Sequence, residues 1–115
     1  MKHTVGIALV AGTTNTVLEV PANYKVEITL LFISNLDNTN KKTTVYWEHA
    51  HNPAHQIYII NNYPMAANEY LQFSNGSLIM QSGDKFIVVP EAGANQHVLL
   101  TFDLYKENSV PFIAD

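Results

Sequence analysis

Hydrophobic and polar residues alternate along much of the chain, and a period of two is typical of half-buried β-strands. Residues 24–32 place one set of apolar side chains on a single face: Val26, Ile28, Leu30 and Phe32. Residues 96–105 repeat the pattern with Val98, Leu100, Phe102 and Leu104. The alternation therefore predicts two long strands, each with one face toward a core.

Shorter stretches rich in Val, Ile, Thr, Tyr and Phe predict further strands near residues 4–10, 15–20, 43–50, 56–60, 69–73, 77–81 and 84–89. Turn-forming residues separate these stretches, among them 20–23, 36–40, 61–64, 82–84 and 91–93. Helical spacing of apolar residues is not evident. About nine short strands predict an all-β fold, an antiparallel β-sandwich that is jelly-roll-like, with an immunoglobulin-like sandwich as the alternative.

With 115 residues, 47% of them hydrophobic, the chain is long enough for one domain with a continuous core. We expect residues 1–106 to form a single sandwich domain and residues 107–115 to form a C-terminal tail. The tail carries apolar residues beyond the last predicted strand: Val110, Phe112 and Ile113. These side chains are expected either to dock on a neighbouring subunit or to fold back over an edge of their own sandwich.

The basic residues argue against nucleic acid as a partner. All six are lysines, arginine is absent, and ten acidic residues outnumber them. No residue can therefore grip a phosphate through a planar guanidinium fork, and no basic stripe is present to release counterions. Cysteine is also absent, which removes disulfides and thiolate chemistry.

The start of the chain is apolar only over residues 5–11, and polar residues follow soon afterwards. That run is too short for a membrane span and is better explained as a strand. We therefore expect neither a targeting segment nor a membrane partner.

The histidines are the main candidates for chemistry. In a strand, alternation puts His49 and His51 on one face, with Cβ atoms roughly 6–7 Å apart. Both imidazoles could reach one divalent metal ion, with a third ligand from His55 or from His97 across the sheet. The alternative, which we favour, is that these histidines are amphipathic residues at a surface or a subunit contact.

This region also resembles the metal-binding signature of the cupins, which have a His-x-His followed by a glutamate, then a Gly-Asp strand, a Pro-x-Gly turn and a distal histidine. The matching residues here are Gly83, Asp84, Pro90, Gly93 and His97. Gln56 stands where cupins have the glutamate ligand, and two residues rather than one separate Pro90 from Gly93. The resemblance implies a cupin-like metal-binding protein or enzyme as an alternative function.

Other kinds of site find less support. The sequence has no Gly-rich phosphate loop and no Gly-x-Ser-x-Gly motif, and we expect no enzymatic activity and no cofactor beyond the metal alternative. Five aromatic residues could line a receptor- or glycan-binding platform: Tyr46, Trp47, Tyr58, Tyr63 and Tyr70. Aromatic residues that alternate on strands are more often core and interface residues, so this is the third alternative.

Three segments resemble a family of small tailed-bacteriophage virion proteins: residues 20–35 (Val-Pro-Ala-Asn-Tyr through Ile-Ser-Asn), 45–47 and 78–86. In that family a Val-Pro-Ala turn opens a long strand ending in Ser-Asn, and a late Leu-x-x-Gly-Asp turn precedes the closing strands. The resemblance spans roughly residues 4 to 106. It implies a structural virion protein, either a capsid decoration or cement subunit or a tail, neck or adaptor component.

Such a protein is expected in the virion, where it binds neighbouring virion proteins such as major capsid or tail proteins. A low charge and a surface rich in Asn and Thr suit repeated contacts between subunits. We further expect a homo-oligomer, a trimer or a higher ring, because closed rotational assemblies bury a self-complementary patch.

Overall fold

The computed structural model describes residues 2–50, 55–74 and 78–106. Within these ranges the chain forms strands and turns and contains no helix, and hence none that could cross a membrane. The strands are β1 (Lys2–Ala8), β2 (Asn15–Glu19), β3 (Tyr24–Asn35), β4 (Lys41–Glu48), β5 (Gln56–Met65), β6 (Tyr70–Phe73), β7 (Leu78–Met80), β8 (Lys85–Pro90) and β9 (Gln96–Lys106). The predicted all-β fold is confirmed.

The strands form two antiparallel sheets that pack as a sandwich. One sheet has the order β1-β9-β3-β6, with β7 also paired to β3, and the other has the order β2-β8-β4-β5. Early strands therefore pair with late ones: β1 with β9, β2 with β8, β3 with β6 and β7, and β4 with β5. This is the order of a folded ribbon wrapped into two sheets, which defines a jelly roll.

The alternation predicted for β9 is confirmed, because Val98, Leu100 and Phe102 are buried in the core between the sheets. In β3 the alternation changes phase. A β-bulge lies between Ile28 and Leu30, where the pairing with β9 shifts register.

The bulge in β3 corrects part of the sequence prediction. Beyond it, Leu31 and Ile33 are buried, whereas Leu30 and Phe32, which we predicted on the core face, are only partly buried. A slip of one residue moves every later side chain to the opposite face of a strand. The prediction was therefore right for Val26 and Ile28 and wrong for the second half of the strand.

Strand β5 also differs from the prediction, because it continues through residues 61–64, where we expected a turn. Asn62 adopts a positive φ of 51° and its backbone N–H donates to Thr44 Oγ1 at 2.9 Å. Two register shifts between β4 and β5 absorb the extra residues. Pro64 is tolerated because β5 is an edge strand, where a proline does not break an inner ladder.

Candidate interaction surface at an open side of the sandwich

Strand β5 is the outermost strand of its sheet and is unusually exposed. It pairs with β4 on one side only, and Ile57, Tyr58 and Ile59 are 48%, 50% and 39% exposed. The ten residues from Gln56 to Met65 include no charged side chain. A long, uncharged, apolar edge strand is a template for pairing with another chain unless something covers it.

The opposite edge of the sandwich is better protected. Strand β1 alternates between exposed and half-buried positions, and its exposed positions hold Lys2, Thr4, Gly6 and Ala8. The Lys2 ammonium lies 3.8 Å from the Asp103 carboxylate. A lysine discourages pairing at an edge, so β1 has a charged residue of the kind that β5 lacks.

Beside β5 the two sheets part and expose an apolar groove, which we call the edge groove. Its volume is about 240 Å³, and it is lined by Ile28, Thr29, Leu31, Ile59, Phe73, Leu78 and Phe86. Phe86 is almost fully buried and reaches the groove from the core, whereas Phe73 and Ile59 are 43% and 39% exposed. The groove therefore connects the hydrophobic core to the surface.

The bulges in β3 and β5 shape this groove. In β5 the pairing with β4 shifts register next to Ile59 and Ile60; Ile60 packs against the core and Ile59 lines the groove. On the facing sheet, β7 pairs with Val26–Ile28 and β6 pairs with Leu31–Ser34. The groove opens at the bulge of β3, between the positions where these two short strands pair.

Sequence reasoning missed this surface. Its residues come from β3, β5, β6, β7 and β8, which no local pattern brings together. The signal that could have pointed to it is the uncharged run 56–65, which is long for an edge strand. That run was interpreted as a strand followed by a turn, and nothing in the sequence marks a strand as an edge.

The structure brings His49 next to His55 through a backbone hydrogen bond and places His97 apart from both. His49 follows the end of β4 and its ring lies 4.3 Å from the Trp47 ring, centroid to centroid; its backbone N–H donates to the carbonyl oxygen of His55 at 3.3 Å. His97 lies at the start of β9, opposite Ser34 and Ala8. His51 lies outside the described residues.

The separation of His49 from His97 follows from the strand directions. Ser34 is near the end of β3, which the short connection 36–40 joins to Lys41 at the start of β4. His49 lies beyond the other end of β4, about 26 Å from Lys41 at roughly 3.3 Å per residue. Within the described ranges, no three His, Asp or Glu residues are placed to hold a metal ion.

The motif residues Gly83 and Asp84 have a structural role in this chain. Gly83 has a φ of 85° in the turn that precedes β8. The Asp84 carboxylate is fully buried and accepts hydrogen bonds from Trp47 Nε1, the Ala50 backbone N–H and the Gln81 backbone N–H, each at 2.9 Å. Both acceptor oxygens are therefore engaged in holding this turn against the end of β4.

The aromatic residues do not form one platform. Tyr46 is buried and its ring lies 5.2 Å from that of the exposed Tyr58. Tyr70 belongs to the other sheet, where its ring stacks on Phe32 at 5.0 Å, and Trp47 packs against the core. The apolar tail residues Val110, Phe112 and Ile113 lie outside the described residues.

Comparison with known proteins gives a fold and no family. No protein family and no curated protein matches the sequence. Among solved structures, the chain is similar to a protein of the Bacillus endospore appendages, which form a novel family of disulfide-linked pili. The TM-score is 0.53 with 13% identity over 92% of this chain and 87% of that chain, a likeness that concerns the fold alone.

Proposed function

We propose that this protein is a structural subunit of a bacteriophage particle and acts by binding neighbouring virion proteins. The contact is the open side of its sandwich, by which we mean strand β5 and the edge groove beside it. The observation that carries the proposal is the exposed, uncharged strand β5 beside an apolar groove. The sequence resemblance to small tailed-phage virion proteins supports the particle as its location. Major capsid or tail proteins, together with further copies of this chain, are the expected neighbours.

The chemistry of the open side supports a role in association. A free strand edge offers a row of backbone donors and acceptors, and a partner strand can satisfy them while its side chains pack against Ile57 and Ile59. Tyrosine is enriched among residues that dominate binding energy, and Tyr58 is half exposed on this strand. Association here would remove apolar surface from water without burying a charge.

The similar pilus protein differs in one chemical respect. That protein belongs to disulfide-linked pili, whereas this chain has no cysteine. Contacts between copies of this chain would therefore depend on packing and hydrogen bonding alone. We expect a closed assembly, a trimer or a higher ring, which leaves no apolar edge in water.

The test is the copy number of the protein in purified particles. Phage that carry the gene are purified through a density gradient, and the protein is quantified by mass spectrometry against the major capsid protein. We expect a fixed ratio that is retained through repeated gradients. A protein that is abundant in the lysate and absent from the purified particles would contradict the proposal.

A pair of variants tests the surface in the same assay. Ile57→Lys places a charge on β5, and we expect it to reduce incorporation because the lysine would lose its hydration at the contact. Leu36→Lys is the matched control, since Leu36 is 45% exposed in the connection after β3, close to the 48% of Ile57. Equal incorporation of both variants would exclude β5 as the contact.

A further inference from the structure

The edge groove has the size and chemistry of a pocket for an aromatic side chain. Six of its seven lining residues are apolar and none is charged. An apolar cavity of about 150 Å³ holds a benzene ring, and the edge groove has about 240 Å³. A phenylalanine ring with a neighbouring aliphatic side chain would therefore fit, and would cover the exposed surfaces of Phe73 and Ile59.

The chain itself carries a segment of matching chemistry. Residues 110–113 read Val-Pro-Phe-Ile, without a charge, and they follow the end of β9 by only a few residues. We call them the apolar segment. Proline favours an extended backbone, so this segment is suited to lie along a strand edge or a groove with little loss of entropy.

The far end of the groove of the same copy, where Leu31 pairs with Phe73, is out of reach for the apolar segment. Lys106, the last residue of β9, lies opposite Tyr24, whereas the groove begins at Ile28 and extends to Leu31. At roughly 3.3 Å per residue along β3 and about 4.8 Å per strand across the sheet, the groove is about 16–25 Å from Lys106.

The direction of β9 makes this distance harder to cover. Strand β9 runs from Gln96, opposite Asn35, to Lys106, opposite Tyr24, so the chain leaves the sheet heading away from the groove. A reversal uses about two or three of the six residues from Lys106 to Phe112. The remaining three or four span at most about 14 Å and the side chain adds about 5 Å, so the Phe112 ring falls short of the far end of its own groove, where Leu31 pairs with Phe73.

We infer that the edge groove receives the apolar segment of a second copy of this chain, with the Phe112 ring packed against Phe86, Phe73 and Ile59. This inference rests on the proposed function and names its contact between copies. Each copy both gives a segment and accepts one. A contact of this kind joins two different surfaces, so it produces a ring when the rotation closes and a longer chain of copies when it does not.

Two full-length variants test the two halves of the contact separately, one in the apolar segment and one in the edge groove. Phe112→Asp destroys the segment and leaves the groove intact; Ile59→Lys places a charge in the groove and leaves the segment intact. Self-association of the parent protein and of each variant is measured by sedimentation velocity over a range of concentrations. We expect the parent to self-associate and each variant to do so about thirtyfold more weakly, as for the loss of one central contact residue.

Mixing the two variants is the decisive step. An equimolar mixture contains one intact segment, on Ile59→Lys, and one intact groove, on Phe112→Asp. We expect this mixture to form a one-to-one pair and to stop there, because the remaining segment and groove are both disabled. Failure of the mixture to pair, when the parent self-associates and the variants do not, would overturn the inference.

Control variants distinguish the contact from a general loss of stability. Ile79→Lys charges an exposed residue of β7 that does not line the groove, and Ser109→Asp adds a charge beside the apolar segment. Both should self-associate like the parent. Phe73→Lys should repeat the effect of Ile59→Lys, and thermal unfolding followed by circular dichroism should show that all variants are folded.

Two results would reject the inference outright: a parent protein that stays monomeric at every concentration, and a Phe112→Asp variant that self-associates as the parent does. Neither would contradict the proposed role in the particle, because the particle assay measures incorporation and not contact between copies; a monomeric parent would contradict only the expected closed assembly. Absence from particles together with pairing in the mixture would instead reject the proposed function and keep the contact.

Discussion

The indole N–H of Trp47 donates a hydrogen bond to Oδ2 of the buried Asp84 at 2.9 Å. Oδ2 also accepts from the Gln81 backbone N–H, and Oδ1 accepts from the Ala50 backbone N–H. The carboxylate thus links the last residues of β4 to the turn before β8. A charge that is removed from water needs such donors, because charge-assisted hydrogen bonds offset the cost of desolvation.

Replacing Asp84 should destabilise the domain strongly. Asp84→Ala leaves three donors without their acceptor, and we expect the free energy of unfolding to fall by about 3 kcal/mol. Urea denaturation followed by Trp47 fluorescence measures the loss. Glu19→Ala, at an exposed position of β2, is the control and should change stability little. A loss for Asp84→Ala no larger than that for Glu19→Ala would show that the hydrogen bonds contribute nothing net.

Gly83 should tolerate a side chain less well than Gly93, although both have positive φ, 85° and 80°. A Cβ on Gly83 would lie 2.8 Å from the Ala50 Cβ, whereas a Cβ on Gly93 meets only the flexible Lys41 Nζ at 4.0 Å. Gly93→Ala should cost about 1 kcal/mol from the left-handed backbone alone. Gly83→Ala should cost about 1–3 kcal/mol more through the steric contact.

Chemical denaturation of the two glycine variants tests this difference directly. Because the backbone cost is nearly the same at both positions, the excess measured for Gly83→Ala reports the packing of the turn against Ala50. Equal losses would mean that the segment after β4 shifts freely to accommodate the methyl group.

The fold was predictable because its signal is local. Alternation in β9 and turn residues such as Gly83 act over a few neighbours, so the sequence indicated the strands and their number. The phase change in β3 was not predictable, because the bulge near Thr29 depends on pairing with β9. The same holds for Pro64, which indicates a turn locally and yet lies in β5 because β5 is an edge.

The candidate surface was harder to predict because it is a property of strand order. His49 and His97 attract attention in the sequence, but the sandwich places them toward opposite ends of β4. Ile59 and Phe73 are ordinary strand residues that line the edge groove only once β5 and β6 occupy the same side of the two sheets. A possible metal site could be proposed from the spacing of neighbouring histidines in the sequence, whereas the apolar groove forms only when distant strands come together in the folded chain.

The buried pair of Thr43 and Gln96 should behave as a unit. Thr43 Oγ1 donates to Gln96 Oε1 inside the sandwich, where both residues are fully buried. Thr43→Val leaves this amide oxygen without its donor and should cost about 1–3 kcal/mol. Adding Gln96→Met removes the unpaired group, so the double variant should be less destabilised than the sum of the single ones.

A double-mutant cycle measured by urea denaturation gives the coupling for this pair. We expect a coupling of about 1 kcal/mol, as for neighbours that share one hydrogen bond. Strict additivity would show that the contact between Thr43 and Gln96 does not contribute to stability, and that the cost of each single variant comes from packing.

Alkaline pH should destabilise the domain in part through Tyr46. Burial raises the pKa of the Tyr46 phenol above the ordinary value of 10.0, against a smaller lowering by a hydrogen bond with Thr14. The unfolded chain therefore loses this proton at a lower pH than the folded protein does. The contribution is fully present below pH 10.0 and is lost as the pH rises from there through the pKa of the folded state.

The Tyr46→Phe variant isolates that contribution. Phenylalanine keeps the ring beside Tyr58 and has no proton to lose, so the free energy of unfolding of Tyr46→Phe should fall less steeply above pH 10.0 than that of the parent. Urea denaturation at a series of alkaline pH values measures how the free energy of unfolding of each protein changes with pH. The difference between the two proteins near neutral pH gives the effect of losing the hydroxyl contacts and is subtracted. Identical slopes would mean that the phenol is as well solvated in the folded sandwich as in the unfolded chain.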